Sequence, residues 1–301
     1  MRIGALINSS RSIDDVTAEV QRLADAGFAS AWGSQTFAHD TLTLLAVVGA
    51  RVPGVELGTA VVPIHPRHPV MLAQQAATVQ AAIGGRLALG IGLSHQMVVE
   101  RMWGYAFDKP ASYMREYLSA LVPLLQGEPV DFHGEFITAV SGGPLAQLTQ
   151  PVPVYVAALG PAMLKMTGEL AAGTVTWMAG TKTIGSHIVP KITAAASAAG
   201  RPEPRVIVGL PVCVTAEPDK AKGRIDKSLA IYPSLPSYRA VMDIEGASTA
   251  SDLSFVGTEE EVTAEVDRLA EAGATDFTAS VIGERDERDR TWALLAELAA
   301  R

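Results

Sequence analysis

Residues 55–95 read VELGTAVVPIHPRHPVMLAQQAATVQAAIGGRLALGIGLSH, and this stretch decides the fold. Val55–Val62 is a short apolar run rich in β-branched residues, after which Leu72, Ala76, Val79 and Ile83 recur at i, i+4, i+7 and i+11 on one helical face. Gly84-Gly85 ends that helix. Leu87–Gly92 is again apolar and too short for a helix between its glycine neighbours, so it reads as a strand buried on both faces. The unit is βαβ, with a special loop after each strand, which is where an α/β barrel places its chemistry.

Working outward, the same alternation extends in both directions. Arg2–Ile7 reads as a strand, and Ser12-x-x-Asp15 caps a helix carrying Val16, Val20 and Leu23 up to Gly27. Strand Ala29–Gln35 and helix Thr41–Val52 follow, ended by Pro53-Gly54. Beyond the central unit come strand Val152–Ala157, helix Ala162–Ala172, strand Thr174–Met178, helix Ile188–Ala199 and strand Arg205–Thr215. Thr258-x-x-Glu261 is a capping box ahead of Val262, Val266 and Leu269, and strand Thr275–Ile282 and helix Arg288–Ala299 close the chain.

Eight strands separated by helices favour a closed (β/α)8 TIM barrel over an open sheet. An internal echo agrees: VQRLADAG at 20–27 and VDRLAEAG at 266–273 both close a helix before a strand, although Ala-Gly is also a common helix ending. One domain over residues 1–301 is expected, with an insertion at about 94–150 after the fourth strand. That insertion holds an amphipathic helix Tyr113–Gln126, bent at Pro123, and a hairpin Val130–Val140 turning at His133-Gly134. The region 216–255, broken by Tyr232-Pro233 and Leu235-Pro236, reads as a second, irregular insertion.

Composition narrows the function classes. With 48% hydrophobic residues and a formal net charge of −8, the chain can fill a large core and lacks the clustered basic surface that nucleic acids or anionic membranes reward. A small-molecule substrate is the expected partner. Cys213 is the sole cysteine, so no internal disulfide forms, and its PVCVT setting suggests a buried thiol. No signal-peptide run or membrane span is read from the sequence, and a cytoplasmic location is expected.

Three motifs together carry a family resemblance: Leu57-Gly58-Thr59-Ala60-Val61 followed by Arg67-His68-Pro69; Gly85-Arg86-Leu87-x-Leu89-Gly90-x-Gly92; and Ala157-Ala158-x-Gly160-Pro161. Over nearly its whole length the chain resembles the luciferase-like monooxygenase superfamily, in particular its actinobacterial branch of oxidoreductases dependent on the deazaflavin coenzyme F420. The resemblance implies that this cofactor binds at Gln35, Thr36, Thr59, Ala60, Val61, Leu93, Ser94, Ala158, Leu159, Gly160, Pro161 and Ala162. It further implies a non-proline cis peptide at Ala60–Val61 against the ring, cofactor phosphate at the Gly160-Pro161 helix start, and a homodimer. From the residues alone, Gly160-Pro161 reads as a plain helix start, since Pro suits the first turn.

The same resemblance suggests His95 as acid or base, because a related sugar-phosphate dehydrogenase branch carries a catalytic glutamate there and imidazole titrates near neutrality. His95 also reads as a helix-terminal polar residue without chemistry. Many relatives have Ser-Asp-His-Phe after the second strand, whereas this chain has Ser34-Gln35-Thr36-Phe37. Thr36, the catalytic candidate at the missing histidine's position, hydrogen-bonds but is no general base at neutral pH, so hydride donation to substrate is favoured over alcohol oxidation. His39 and Trp177 are candidate substrate-pocket residues; His39-Asp40 equally serves to cap the helix at Thr41.

Gly90-x-Gly92 is not a dinucleotide fingerprint, for Leu93-Ser94-His95 follows where a third glycine belongs. His65 and His68 do not compose a metal site, being interrupted by Pro66 and Pro69 with no further ligand spacing, and no metal is expected. The expected activity is therefore hydride transfer from reduced F420 to an unsaturated or carbonyl substrate. An FMN-dependent monooxygenase or reductase, and a barrel that binds a flavin without turnover, are the alternatives.

Overall fold

The computed structural model describes residues 1–148 and 150–301. Thr149, inside the expected insertion at 94–150, lies outside the described residues. Eight strands form a closed parallel barrel: β1 (Arg2–Ile7), β2 (Ser30–Gly33), β3 (Glu56–Thr59), β4 (Leu87–Gly92), β5 (Val154–Val156), β6 (Gly173–Trp177), β7 (Arg205–Val214) and β8 (Asp276–Val281). Each pairs with its sequence neighbours, and β8 closes the ring by pairing Arg2↔Asp276 through Ala5↔Ala279 with β1.

The helices of the outer layer include α1 (Ile13–Asp25), α2 (Thr41–Arg51), α3 (Pro69–Ala82), α4 (Pro110–Leu125), α5 (Pro161–Leu170), α6 (Val189–Ala198), α7 (Pro218–Ser228), α8 (Pro236–Glu245), α9 (Glu259–Glu271) and α10 (Arg285–Ala299). The sequence echo is a true structural repeat. Gly27 and Gly273 both take positive φ, at 79° and 97°, and Phe28 and Ala274 donate back to the carbonyls of Leu23 and Leu269. Only a residue without Cβ enters that turn freely.

Two apolar layers hold the barrel. Leu, Val and Ile side chains fill the space between strands and helices, while Trp32, Ala88, Tyr155, Val175 and Ile207 fill the barrel's own interior. Trp32 is fully buried; its indole donates to Ser30 Oγ at 2.8 Å and its ring meets Tyr155 edge-on, centroids 6.3 Å apart. Gly58 makes room for it, since a Cβ there would come within 2.1 Å of the Trp32 ring.

The lower end is closed by charge. Arg205, at the start of β7, donates to Asp276 (2.6 Å), Glu56 (3.0 Å) and the Tyr155 hydroxyl (2.9 Å), with Arg2 3.4–3.5 Å from both carboxylates. These residues stand at or near strand starts, opposite the end used for chemistry.

Two expectations need correction. The region 216–255 is largely helical rather than irregular: Pro218 and Pro236 sit in the first turns of α7 and α8, where a missing N–H is harmless, and Phe255–Gly257 adds a short strand to β7. Within 94–150, α4 packs between α3 and α5 and is thus the barrel's own helix, starting at Pro110 rather than Tyr113. The added pieces are the segment before it and the hairpin Asp131–His133/Thr138–Val140, whose turn is held by three backbone N–H groups donating to Glu116.

Candidate functional site

At the C-terminal ends of the strands lies a cleft of about 1350 Å³. Its geometry begins at β3. After Thr59 the chain leaves the ladder, makes a cis bond between Ala60 and Val61, and rejoins β4 through Val62↔Ile91 and Pro63↔Gly92. The expected continuous strand Val55–Val62 is therefore interrupted where it reaches the cleft. The loop after β2 buttresses the step: Ser34 Oγ donates to the Ala60 carbonyl (2.8 Å) and Ala60 N–H to Gly33 (2.8 Å).

Gly90-x-Gly92 now has a physical account that needs no nucleotide. A Cβ on Gly90 would lie 1.9 Å from the Thr59 carbonyl oxygen, and one on Gly92 would lie 2.6 Å from Val61. The glycines let β4 press against the Ala60–Val61 step.

Of the residues singled out from sequence, Gln35, Thr36, Ala60, Val61, Leu93, Ser94, His95, Leu159, Gly160 and Trp177 line this one cleft. Five do not. Thr59 is fully buried, its hydroxyl donating to Gly90 O (2.6 Å) and accepting from Gly90 N (2.8 Å), so it is engaged in joining β3 to β4. Ala158 points into the outer core. Pro161 and Ala162 are exposed on the outer side of the α5 start, and His39 is exposed with Nε2 3.1 Å from the Arg11 carbonyl, while Asp40 caps α2.

His95 is half-buried at the head of a one-turn segment, its carbonyl accepting from Val98 and Val99. Burial holds its pKa below the ordinary histidine value. Ser94, just before it, takes a left-handed φ of 63°, which turns the chain out of β4. At α5, Gly160 has β-region backbone, open space where a Cβ would stand, and no side chain capping the first turn, so beyond Pro161, which has no N–H, the first-turn N–H groups are not taken up by a side chain, with Gly160 and Met163 on the cleft lining. His187 Nε2 lies 2.8 Å from the Leu159 carbonyl and fixes the approach to that turn.

Sequence reasoning missed Tyr232 and Tyr238, which line the cleft from the segment after β7, and Thr278 on β8. The Tyr-Pro pair at 232–233 was visible only as a breaker; what brings it to the cleft is the fold of α7 and α8. Tyr113, Met114 and Tyr117 serve packing: Met114 and Tyr117 are fully buried and Tyr113 stacks on His65 at 4.7 Å. His68 caps α3. Among the described residues no helix is long and apolar enough to cross a membrane.

The profile of the luciferase-like monooxygenase family matches residues 1–276, and the chain belongs to that family of oxidoreductases. A 5,10-methylenetetrahydromethanopterin reductase from Methanolobus tindarius is 26% identical over 292 residues, covering 87% of this chain and 89% of its own. The fold is shared with an F420-dependent secondary alcohol dehydrogenase in complex with an F420-acetone adduct (TM-score 0.81, 21% identity, 100% and 99% of the two chains). It is also shared with the FMN-bound oxygenating constituent of 3,6-diketocamphane monooxygenase from Pseudomonas putida (TM-score 0.77, 17% identity, 99% and 96%).

Proposed function

We propose that this chain is a coenzyme F420-dependent reductase acting on a small unsaturated or carbonyl compound, folded as one domain and working as a homodimer in the cytoplasm. The observation that carries the reading is the convergence, on one cleft, of Ala60–Val61, the Leu93–His95 loop and the uncapped Gly160 turn. These suit a planar ring joined to an anionic arm: two small apolar side chains back the ring, and free helix N–H groups receive the anion.

Held there, reduced F420 would supply a hydride, that is two electrons with one proton, to one carbon of the substrate double bond. The protein's part is to hold the acceptor against the face of that ring turned away from Ala60–Val61, keep bulk water away, and place a proton for the neighbouring atom. His95 is the imidazole on the cleft lining, a group able both to hold and to release a proton, and we assign it that proton. Thr36 contributes a hydroxyl for orienting the substrate. Arg67 also lines the cleft, but it is paired with Asp40 at 2.7 Å and so anchors the β3 loop rather than the substrate.

The test is a fluorescence titration of cofactor-free protein with F420 and separately with FMN. Saturable preference for F420, followed by oxidation of the reduced form with electron-poor carbonyl acceptors, is expected. Preference for FMN moves the assignment to flavin chemistry, and tight binding without any turnover leaves a binding protein. Light scattering tests the dimer.

A further inference from the structure

Four rings form a continuous arc over the cleft: Trp177 at the end of β6, Tyr232 and Tyr238 from the segment after β7, and His95 after β4. Trp177 meets Tyr232 at 6.2 Å and 63°, Tyr232 meets Tyr238 at 4.8 Å and 79°, and Tyr238 meets His95 at 6.1 Å and 54°. All four line the cleft. Burial raises the pKa of both tyrosines and lowers that of His95, so around pH 7 the arc is uncharged throughout. The lining also carries Glu19, Arg67 and Arg288, none of them a member of the ring series; Arg67 is held by Asp40, and Arg288 acts on Glu19. Thr278, 1% exposed and on the lining, has a hydroxyl with no hydrogen-bond partner among the described residues, a neutral group available to a carbonyl.

Volume separates this arc from the cofactor's place. About 1350 Å³ exceeds the roughly 300–1,000 Å³ typical of a pocket for one small ligand, so a second planar molecule fits beside a cofactor ring. We propose that the Trp177–Tyr232–Tyr238–His95 arc is the substrate face and selects an uncharged, planar, conjugated carbonyl compound of one or two fused rings over an anion of the same shape. This rests on the reading that Ala60–Val61 takes the cofactor ring. Stacked and edge-on contacts reward a flat π-surface, whereas an anion against the four rings would lose hydration that none of them replaces with a charge.

The experiment is equilibrium dialysis of the cofactor-free protein against 2-acetylnaphthalene, against 2-naphthoate, its anionic counterpart, and against the puckered ketone trans-1-decalone. Saturable binding of the aromatic ketone, with naphthoate and decalone at least tenfold weaker, is expected. Tyr232→Leu and Tyr238→Leu each weaken the ketone roughly two- to twelvefold, the range of one lost aromatic contact, while Tyr232→Phe and Tyr238→Phe restore it. F420 affinity stays unchanged in the Leu variants. The proposal is overturned if naphthoate binds as well as the ketone, if the ketone does not bind, or if folded Leu variants, checked by circular dichroism, bind it normally. Loss of ketone and cofactor together, unrestored by Phe, also overturns it. If F420 fails to bind the unaltered protein while the ketone pattern holds, the arc stands and the cofactor assignment alone falls.

Discussion

His95 shows how much environment decides a role. Its pKa is lowered by burial, so near pH 7 the folded protein holds mostly neutral imidazole, a proton acceptor ready to be recharged from solvent. For reduction the protonated form must donate. Reductive kcat/KM is therefore expected to rise as pH falls through a pKa lying below the usual ~6.5, and His95→Gln should flatten that limb while leaving F420 affinity within about twofold. A limb unchanged in the glutamine variant would remove His95 from proton transfer. At this scale the sequence was only partly legible. It pointed to Ala60, Val61 and His95, which the fold brings to the cleft lining, but it could not tell Thr59 from them. Whether a strand-end hydroxyl faces ligand or backbone depends on register with Gly90, thirty-one positions away, and no local pattern encodes that pairing.

Among the elements, α5 offers the sharpest dissection of stability from binding. Gly160 already has the extended backbone of a helix cap and free space around it, so Gly160→Asp fits without strain and adds a capping carboxylate, worth a few tenths of a kcal/mol. That same charge would sit where the proposed anionic arm binds. Thermal stability held or slightly raised, with F420 affinity roughly tenfold weaker, is the expected pair of results; unchanged affinity would place the anion elsewhere. Element types were readable wherever one pattern dominated, as in Leu87–Gly92, in the Ser12 cap of α1 and in the capping box of α9. The segment after β7 was misread because proline signals both an ending and a first turn, and only the residues downstream of Pro218 and Pro236, packed against the barrel, decide which.

For the whole molecule, the eightfold alternation was legible because each βα unit repeats the same burial problem, while the cleft was not, since it is assembled from the ends of strands far apart in sequence. Closure depends on a few buried contacts. Arg205→Met should destabilise the barrel by about 3 kcal/mol, the low end for breaking a buried pair because Arg2 remains near both carboxylates, as chemical unfolding would measure. Gly58→Ala should cost roughly 1–3 kcal/mol by forcing Cβ into the Trp32 ring, and pairing it with Trp32→Leu should recover part of the loss. The plugged lower end also governs traffic. Trp32 and Tyr155 fill the interior and Arg205 seals the strand starts, so the cleft is a cul-de-sac that opens only at the C-terminal ends of the strands, where the tyrosine arc stands. Whatever settles deepest, against Ala60 and Val61, has to arrive first and depart last, and a molecule lodged under the arc detains it. On the proposed placement of cofactor and acceptor, initial-rate kinetics are expected to show compulsory order of entry, with surplus acceptor slowing the release of its predecessor.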